Sequence, residues 1–560
     1  MIDITTRAQH LEKLLGAPWD AANPAGFAAV VAADEREETA PAAEAVLDEF
    51  GLLAEFVPRA LGGRLDRIDH MIELMRSVYR RDPALGLARA GQLLASVNVW
   101  TAGSPEQRAA AAELLLGNRR IACAFHELAH GNDIAGNEFA ARRAGSGLVL
   151  HGRKESIANL DLADALVILA RTDPADGPRA HSQLFLPAGL LAPGQVRRLP
   201  RFRSVGMRGV RLGGMEVNGL PVPDGLLLGA PGTGVETASR AFQVTRLALP
   251  AMSTALLDTA LRVALHHTRR RRLYGREAAD LPMVRTTLAE AFADLLVCEA
   301  LSRTAARALH LCPESGSVHA PAVKYLVAGV LTDAVQRLAT VMGSEFYRRD
   351  GEHAVFQKIV RDVRPVGFGH IARAACLSAL LPQLPGLLGR ARRAPDPVPA
   401  ALFTAEAELP EPDLSRLRLV AGGRDPLVSS LGTVLDEDLP AAVRPLAEEH
   451  VRGFAALCEA GAVLRPRQLS ITAEVPVREL AARYTVALAA AACLGVQRAA
   501  TAGEFLARPE WLQAALVRLG GMERAVPAGL PPAVEDALIE ELLHRDDHNL
   551  SFGLTGRPYA

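Results

Sequence analysis

The hydrophobic period of this chain switches twice, and that double switch constrains the fold more than any other feature. From about Phe27 to Leu116, apolar residues recur at helical spacing, as in AADEREETAPAAEAVLDEFGLL, HMIELMRSVYRR and EQRAAAAELLL. Near Arg120 the pattern shortens. Up to about Gly229, runs with β-branched residues (GLVLHGR, DALVILART, HSQLFLP, GGMEVNGLPVP) alternate with Gly and Pro turns, which predicts a compact β domain. Helix then returns to about Arg393 in four stretches, the last being RPVGFGHIARAACLSALL. A proline- and acid-rich segment, ARRAPDPVPAALFTAEAELPEPDLS, reads as a linker, and the remainder is again mainly helical.

The expected fold class is therefore α+β and multidomain. A helical N-terminal domain spans 1–118, a middle β domain 119–232 and a helical bundle of four members 233–395. A linker at 396–414 leads to an additional helical domain at 415–560. The 560 residues suit three or four domains.

Composition excludes several classes. Aromatic residues are only 4%, so the cores rest on Ala, Leu and Val, which favours helix. The net charge of −1 offers no global attraction to nucleic acid. The six cysteines are scattered, with no CxxC pair and no histidine at ligand spacing, so neither a disulfide framework nor a metal site is expected. HRDDHN near the C-terminus fits no ligand pattern. The start, MIDITTRAQHLEKLL, does not read as a signal peptide, and no run of 18 uninterrupted apolar residues suggests a membrane span. The expected location is cytoplasmic.

Within this order of domains lie motifs that resemble the acyl-CoA dehydrogenase family over about 25–395. FVPRALGGR resembles its N-terminal Pro and Gly-Gly loop. AFHELAHGNDIAG resembles the passage containing T-E-x-x-x-G-S-D, here His126, Glu127, Gly131, Asn132 and Asp133. GRKESIANLDLADALVILARTDP resembles G-x-K-x-W-I-T-N-G-x-x-A-D, VGMRGVRLGGMEVNGLPVP the G-M-R strand pair, and RRLYG the R-x-x-F-G motif. The C-terminal extension resembles that of the very-long-chain-type and DNA-repair-associated members in position and helical character alone.

The resemblance implies FAD lying between the β domain and the bundle, against an acyl thioester carried on CoA or on an acyl-carrier protein. It also implies a homo-oligomer, or a heteromer with a homologue, sharing the flavin site. The cofactor-binding positions it points to are His126, Asn132, Ser156, Arg271 and Gly343. Several depart from the family pattern. His126 stands for the signature Thr and Asn132 for the Ser, while Ser156 stands for the aromatic residue against the flavin. Ala158 and Pro282 replace hydrogen-bonding residues, and Ala339 and Met342 fall where glycines belong.

The family's catalytic base is a Glu after an Arg-Asp pair, here Arg361 and Asp362, or in isovaleryl-type members a Glu just before an Arg on an earlier helix. An ungapped count from Arg361 lands on His370, a shifted one on Phe368, and the earlier position is Thr245. No carboxylate occupies any of them. His370 is the candidate base, since imidazole serves general-base chemistry near neutral pH. Three readings follow. The first is a divergent flavin-dependent dehydrogenase that desaturates an acyl thioester without the usual Glu. The second is a catalytically silent binding or scaffold subunit. The third is changed flavin chemistry, such as oxygenation.

Overall fold

The computed structural model describes residues 4–177, 179–191, 194–393, 396–523 and 529–559. The expected bundle end at 395 lies just outside them. Six helices open the chain: α1 (Ile4–Leu15), α2 (Phe27–Glu35), α3 (Pro41–Phe50), α4 (Ile68–Arg81), α5 (Pro83–Ala102) and α6 (Pro105–Leu116). Their ends follow local chemistry. Gly51, at φ +67°, stops α3 in the left-handed region that favours glycine. Asp82 caps α5 by accepting from the Ala84 N–H. Ser104 and Gln107 form a reciprocal capping box on α6.

Eight strands then form one sheet: β1 (Ile121–Ala124), β2 (Ala140–Ala144), β3 (Gly147–Ala158), β4 (Ala165–Arg171), β5 (His181–Pro187), β6 (Val196–Leu199), β7 (Leu212–Pro223) and β8 (Leu227–Leu228). The order is β6-β7-β3-β2-β4-β5-β8, with β1 parallel to β4 at a branch. Most pairings are antiparallel, as short runs joined by tight turns require. The register of β3 on β7 shifts between Lys154 and Ile157, so Ser156 sits at an irregularity.

Helix α7 (Gly234–Arg270), at 37 residues, is the axis of the molecule. Its Ala/Leu-rich surface is buried nearly all round, against α4 and α5 and against α8 (Pro282–Leu311) and α9 (Gly316–Met342). The short strands β9 (Arg272–Leu273) and β10 (Arg276–Glu277) turn the chain from α7 towards α8. The fourth bundle member is broken. It consists of α10 (Val355–Asp362), a turn, α11 (Arg373–Leu380) and α12 (Leu384–Arg393). Pro365, Gly367 and Gly369 interrupt the helical pattern between α10 and α11.

The extension adds α13 (Pro426–Ser429), α14 (Arg444–Ala462), α15 (Val475–Ala499), α16 (Pro509–Gly521) and α17 (Pro532–Asp547), with α15, α16 and α17 packed on α8. The segment at 396–414 is not a loose tether. Arg307 donates to the carbonyls of Ala401 (2.7 Å), Ala405 (3.2 Å) and Ala407 (3.1 Å). Buried Asp425 accepts from His319 of α9 (2.8 Å) and from Tyr484 of α15 (2.7 Å), joining extension to bundle. Three helices, Gly234–Arg270, Pro313–Tyr347 and Val475–Ala499, are long and apolar enough to cross a membrane, where the sequence suggests no span. Their most apolar stretches are 94%, 61% and 78% buried within the fold itself.

Candidate active site

Four elements converge where the β domain meets the bundle. The end of β1 brings Phe125 and His126, α7 brings Phe242, Thr245 and Arg246, α9 brings Lys324, and the turn before α11 brings His370. The rings of Phe125 and Phe242 lie 5.3 Å apart, and His370 stands edge-on to Phe242 at 4.4 Å. The guanidinium of Arg246 lies 5.8 Å from the same ring. An apolar floor thus carries polar groups around its edge.

His370 Nε2 is 3.0 Å from the Thr245 hydroxyl. The two alternative base positions of the resemblance therefore meet, and it is His370 that faces α7, while Phe368 is 63% exposed. His370 adopts φ +68°, a left-handed backbone that is uncommon for a non-glycine residue and clusters at functional turns. Its Nδ1 is buried with no partner. Burial first, then the charges of Arg246, Lys324 and His126, hold its pKa well below the ordinary histidine value.

The cations show why. Arg246 is half-buried, its Nε is buried without a partner, and burial lowers its pKa. Among the described residues Lys324 donates only to the carbonyls of Val366 (2.6 Å) and Gly369 (2.9 Å), and burial pulls its pKa down to about 8. The thiol of Cys376, pushed up to about 11 by burial, adds no anion near neutral pH. A proton on His370 would add a third positive charge to this group, so the imidazole is a poor proton acceptor as it stands. What the arrangement does well is hold negative charge that a ligand brings or develops.

The acids nearby are committed elsewhere. Glu127 accepts from Lys154 (2.8 Å) and from the N–H groups of Glu138 (2.8 Å) and Phe139 (3.0 Å). Asp133 accepts from the Gly136 N–H at 3.2 Å. Asp362 accepts from Lys358 and the Met207 N–H, and Arg361 pairs with Asp34 at 2.6 Å, so the Arg-Asp pair fastens α10 to α2 and to the approach to β7.

The other sequence-derived positions are spread out. His126 Nδ1 lies 3.3 Å from the Gly131 carbonyl, and burial lowers its pKa. Asn132 is exposed in the following turn, and Ser156 is half-buried on β3. Arg271 ends α7 exposed. Gly343 ends α9 at φ +57°, where an added Cβ would meet nothing within 4 Å. Arg271 lies about 37 Å along α7 from Arg246, at 1.5 Å per residue. Arg271 therefore stands at the opposite end of α7 from the His370 cluster.

Arg246 and Lys324 were not singled out as site residues by the sequence reading. A signal for Arg246 existed: none of Phe242, Gln243, Leu249 and Pro250, one turn away on either side, is an acid. Near the end of α7 the structure also gathers a group that could hold a metal ion, where the sequence suggests none. His266 Nδ1 is 3.0 Å from His353 Nε2, and Glu352 is 3.5 Å from His266 Nε2. Trp19 stacks on His266 at 4.5 Å, and Arg270 pairs with Glu352 at 2.9 Å, so the group is already satisfied by its neighbours. In HRDDHN, Asp546 and Asp547 each pair with Arg269 at 2.8 Å.

Comparison with known proteins places this geometry. The family described as "Acyl-CoA dehydrogenase, C-terminal domain" matches residues 232–370, ending on His370. Cyclohex-1-ene-1-carbonyl-CoA dehydrogenase of Geobacter metallireducens is 26% identical over 337 residues, covering 59% of this chain and 86% of that protein. The caffeyl-CoA reductase-Etf complex subunit CarC of Acetobacterium woodii is 25% identical over 344 residues, covering 59% and 87%. An acyl-CoA dehydrogenase from Bacillus anthracis, solved with FAD, superposes with a TM-score of 0.73 at 14% identity. That superposition covers 97% of this chain and 95% of the other, so the shared fold includes the C-terminal helices.

Proposed function

Because the chain belongs to the acyl-CoA dehydrogenase family, we propose that it is an FAD-dependent oxidoreductase of acyl thioesters that works without a carboxylate base. One observation carries the second half: at the meeting point of Thr245 and His370 there are, among the described residues, cations and neutral groups but no acid.

The residues present fit FAD. An isoalloxazine ring is electron-rich along its pyrimidine edge and calls for donors and positive charge. The unpartnered Nδ1 of His370 and Nε of Arg246, with the open turn at Gly131 and Asn132, supply such a setting. His126, Asn132 and Ser156 would hold the ring end, Arg271 would reach the FAD of a neighbouring subunit, and the backbone at Gly343 would allow close approach. Bound FAD supplies the hydride acceptor. The chain's own groups do the rest. Phe125 and Phe242 exclude water, Thr245 fixes the His370 ring, and Arg246 and Lys324 stabilise negative charge on the thioester. The thioester is carried on CoA or on a carrier protein.

The test is colour and turnover. Purified protein should absorb near 450 nm, roughly, from bound flavin. Oxidation of simple saturated acyl-CoAs with an artificial acceptor should stay near background, since general-base help worth about 10²–10⁴-fold is missing. Robust turnover abolished by His370→Ala would establish His370 as the base and overturn the proposal's second half. A colourless, folded protein would favour a silent binding subunit, the reading that the missing acid also supports.

Exposed Tyr274 (90%), Met283 (81%) and Tyr347 (78%) lie around the end of α7 that carries Arg271, which suits burial against a second subunit. The expected assembly is a homo-oligomer, or a heteromer with a homologue, burying more than about 2,000 Å². A strict monomer in light scattering would oppose it.

A further inference from the structure

We propose that the end of α7 carries a Zn²⁺ site, with His266, His353 and Glu352 as its protein ligands. The site is separate from the thioester cleft and does not rest on its reading.

The ligands come from two elements. His266 lies one turn before the end of α7, and Glu352 and His353 lie just ahead of α10. With one nitrogen from each ring and one carboxylate oxygen, the ligand atoms all lie within 4.8 Å of one another. Two imidazoles and a carboxylate are donors that Zn²⁺ takes in sites whose fourth position is left to water. At bonds of about 2.0–2.1 Å, tetrahedral ligand atoms sit about 3.3 Å apart. His266 Nδ1 and His353 Nε2 stand at 3.0 Å, and His266 Nε2 and Glu352 at 3.5 Å. One ring nitrogen of His266 serves as the ligand, so the third ligand closes in by at most about 1.5 Å. Glu352 has that freedom, since its side chain is 46% exposed.

The contact between the rings also points to an ion. Two neutral imidazole nitrogens at 3.0 Å hold one proton between them, and a metal ion takes the same lone pairs and releases the proton. Behind His353, its Nδ1 lies 3.6 Å from Glu345, the arrangement in which a carboxylate orients a ligating histidine. Trp19 stacks on His266 at 4.5 Å and meets Phe27 edge-on at 5.2 Å, which makes one wall apolar. The neighbouring cations do not close the site. Arg270 pairs with Glu352 at 2.9 Å and Arg348 with Glu345 at 3.3 Å, and both guanidiniums are exposed and free to turn to solvent. An ion here clamps the end of α7, just before Arg271, to the segment ahead of α10.

The experiment titrates Zn²⁺ by calorimetry into the whole 560-residue chain after chelator treatment, with thermal melting alongside. One equivalent should bind in the micromolar range or tighter and raise the melting temperature. His266→Gln and His353→Gln should each weaken binding at least about 100-fold, and Glu345→Gln, behind a ligand, about ten-fold. Glu352→Gln, at the exposed ligand, should weaken it at least about ten-fold and serves if a histidine variant folds poorly. A second histidine pair, His544 and His548, has its rings 4.3 Å apart and is the control. His548→Gln should leave binding unchanged. No binding at about 100 μM Zn²⁺ overturns the inference. So does binding that survives His353→Gln and Glu352→Gln, or that is lost with His548→Gln.

Discussion

Where the 396–414 segment crosses the bundle, Arg307 is fully enclosed. It reaches the Asp69 carboxylate at 2.9 Å, three backbone carbonyls, and a neighbour, Arg67, that shares the same acid at 2.6 Å. Where the β domain meets the same bundle, Arg246 is half-buried, lies over the Phe242 ring, and has an Nε that is buried without a hydrogen-bond partner. The first arrangement extends across the junction. Arg76 pairs with Glu299, whose other oxygen accepts from the Leu554 N–H at 2.8 Å, and Arg518 pairs with Asp294 at 2.9 Å. Charge at the junction is spent on holding the extension in place. The charge of Arg246 meets no acid among the described residues, and unsatisfied buried polar groups are most often found at functional sites.

The largest expected effect comes from breaking the satisfied side. Asp69→Ala strands Arg307 and Arg67 in the interior. Loss of one partner of a buried pair costs about 3–5 kcal/mol, so apparent stability in denaturant should fall by about that amount. A loss below about 1 kcal/mol would mean that the carbonyls alone suffice, and the contrast with the cleft would lose its force.

Acidification should act on both regions. Burial lowers the pKa values of His126 and His370 in the cleft, of His266 and His267 at the end of α7, and of His310 at the junction. A depressed histidine pKa means that the unfolded chain binds more protons between the folded value and about 6.5. Stability is therefore full above about pH 6.5 and is lost as pH falls through that window. His310 gives a structural reason. Its Nε2 accepts from the Ile68 N–H at 3.0 Å, and its Nδ1 faces the Pro410 carbonyl at 2.8 Å, a pattern that only the neutral ring satisfies. Melting temperature should fall from pH 7.5 to 5.5, and His310→Gln should flatten part of that slope. A flat profile in the native chain would contradict the burial of these rings.

The sequence made the alternation of layers legible because hydrophobic period is local. The switch near Arg120 and the bundle start expected at 233 fall beside β1, which begins at Ile121, and α7, which begins at Gly234. It also made His370 and Thr245 legible as alternatives, though not as neighbours, since 125 residues separate them. The break before α11 was readable in Pro365, Gly367 and Gly369, yet the Ala/Leu-rich run after it reads as one helix. The junction was not readable at all. Asp69 and Arg307 are 238 residues apart, and nothing in a helix-spacing pattern links them. The same holds for His266 and His353, which come from different elements and carry no ligand spacing.

A smaller effect is expected at Thr245. Thr245→Val keeps the shape but removes the hydroxyl opposite His370 Nε2, leaving both ring nitrogens unpartnered. The cost should be about 1 kcal/mol, the net worth of one neutral hydrogen bond, read as a shift of the denaturation midpoint. A cost of zero would place another partner on the ring.

The smallest effect on stability should come from Arg246. Arg246→Leu fills similar space with an apolar side chain on an apolar floor made by Phe242 and Phe125. It abandons no carboxylate, because none is there, and it relieves the desolvation of a guanidinium whose Nε has no acceptor. Stability without ligand should therefore change by less than about 0.5 kcal/mol or rise slightly, the pattern of functional sites that hold unfavourable charge for a ligand. Set beside Asp69→Ala in the same denaturation assay, the two variants separate charge used for folding from charge kept for binding. A loss of 2 kcal/mol or more (about half the cost at Asp69) would show that Arg246 also has a partner within the fold, and would remove the distinction on which the cleft is identified.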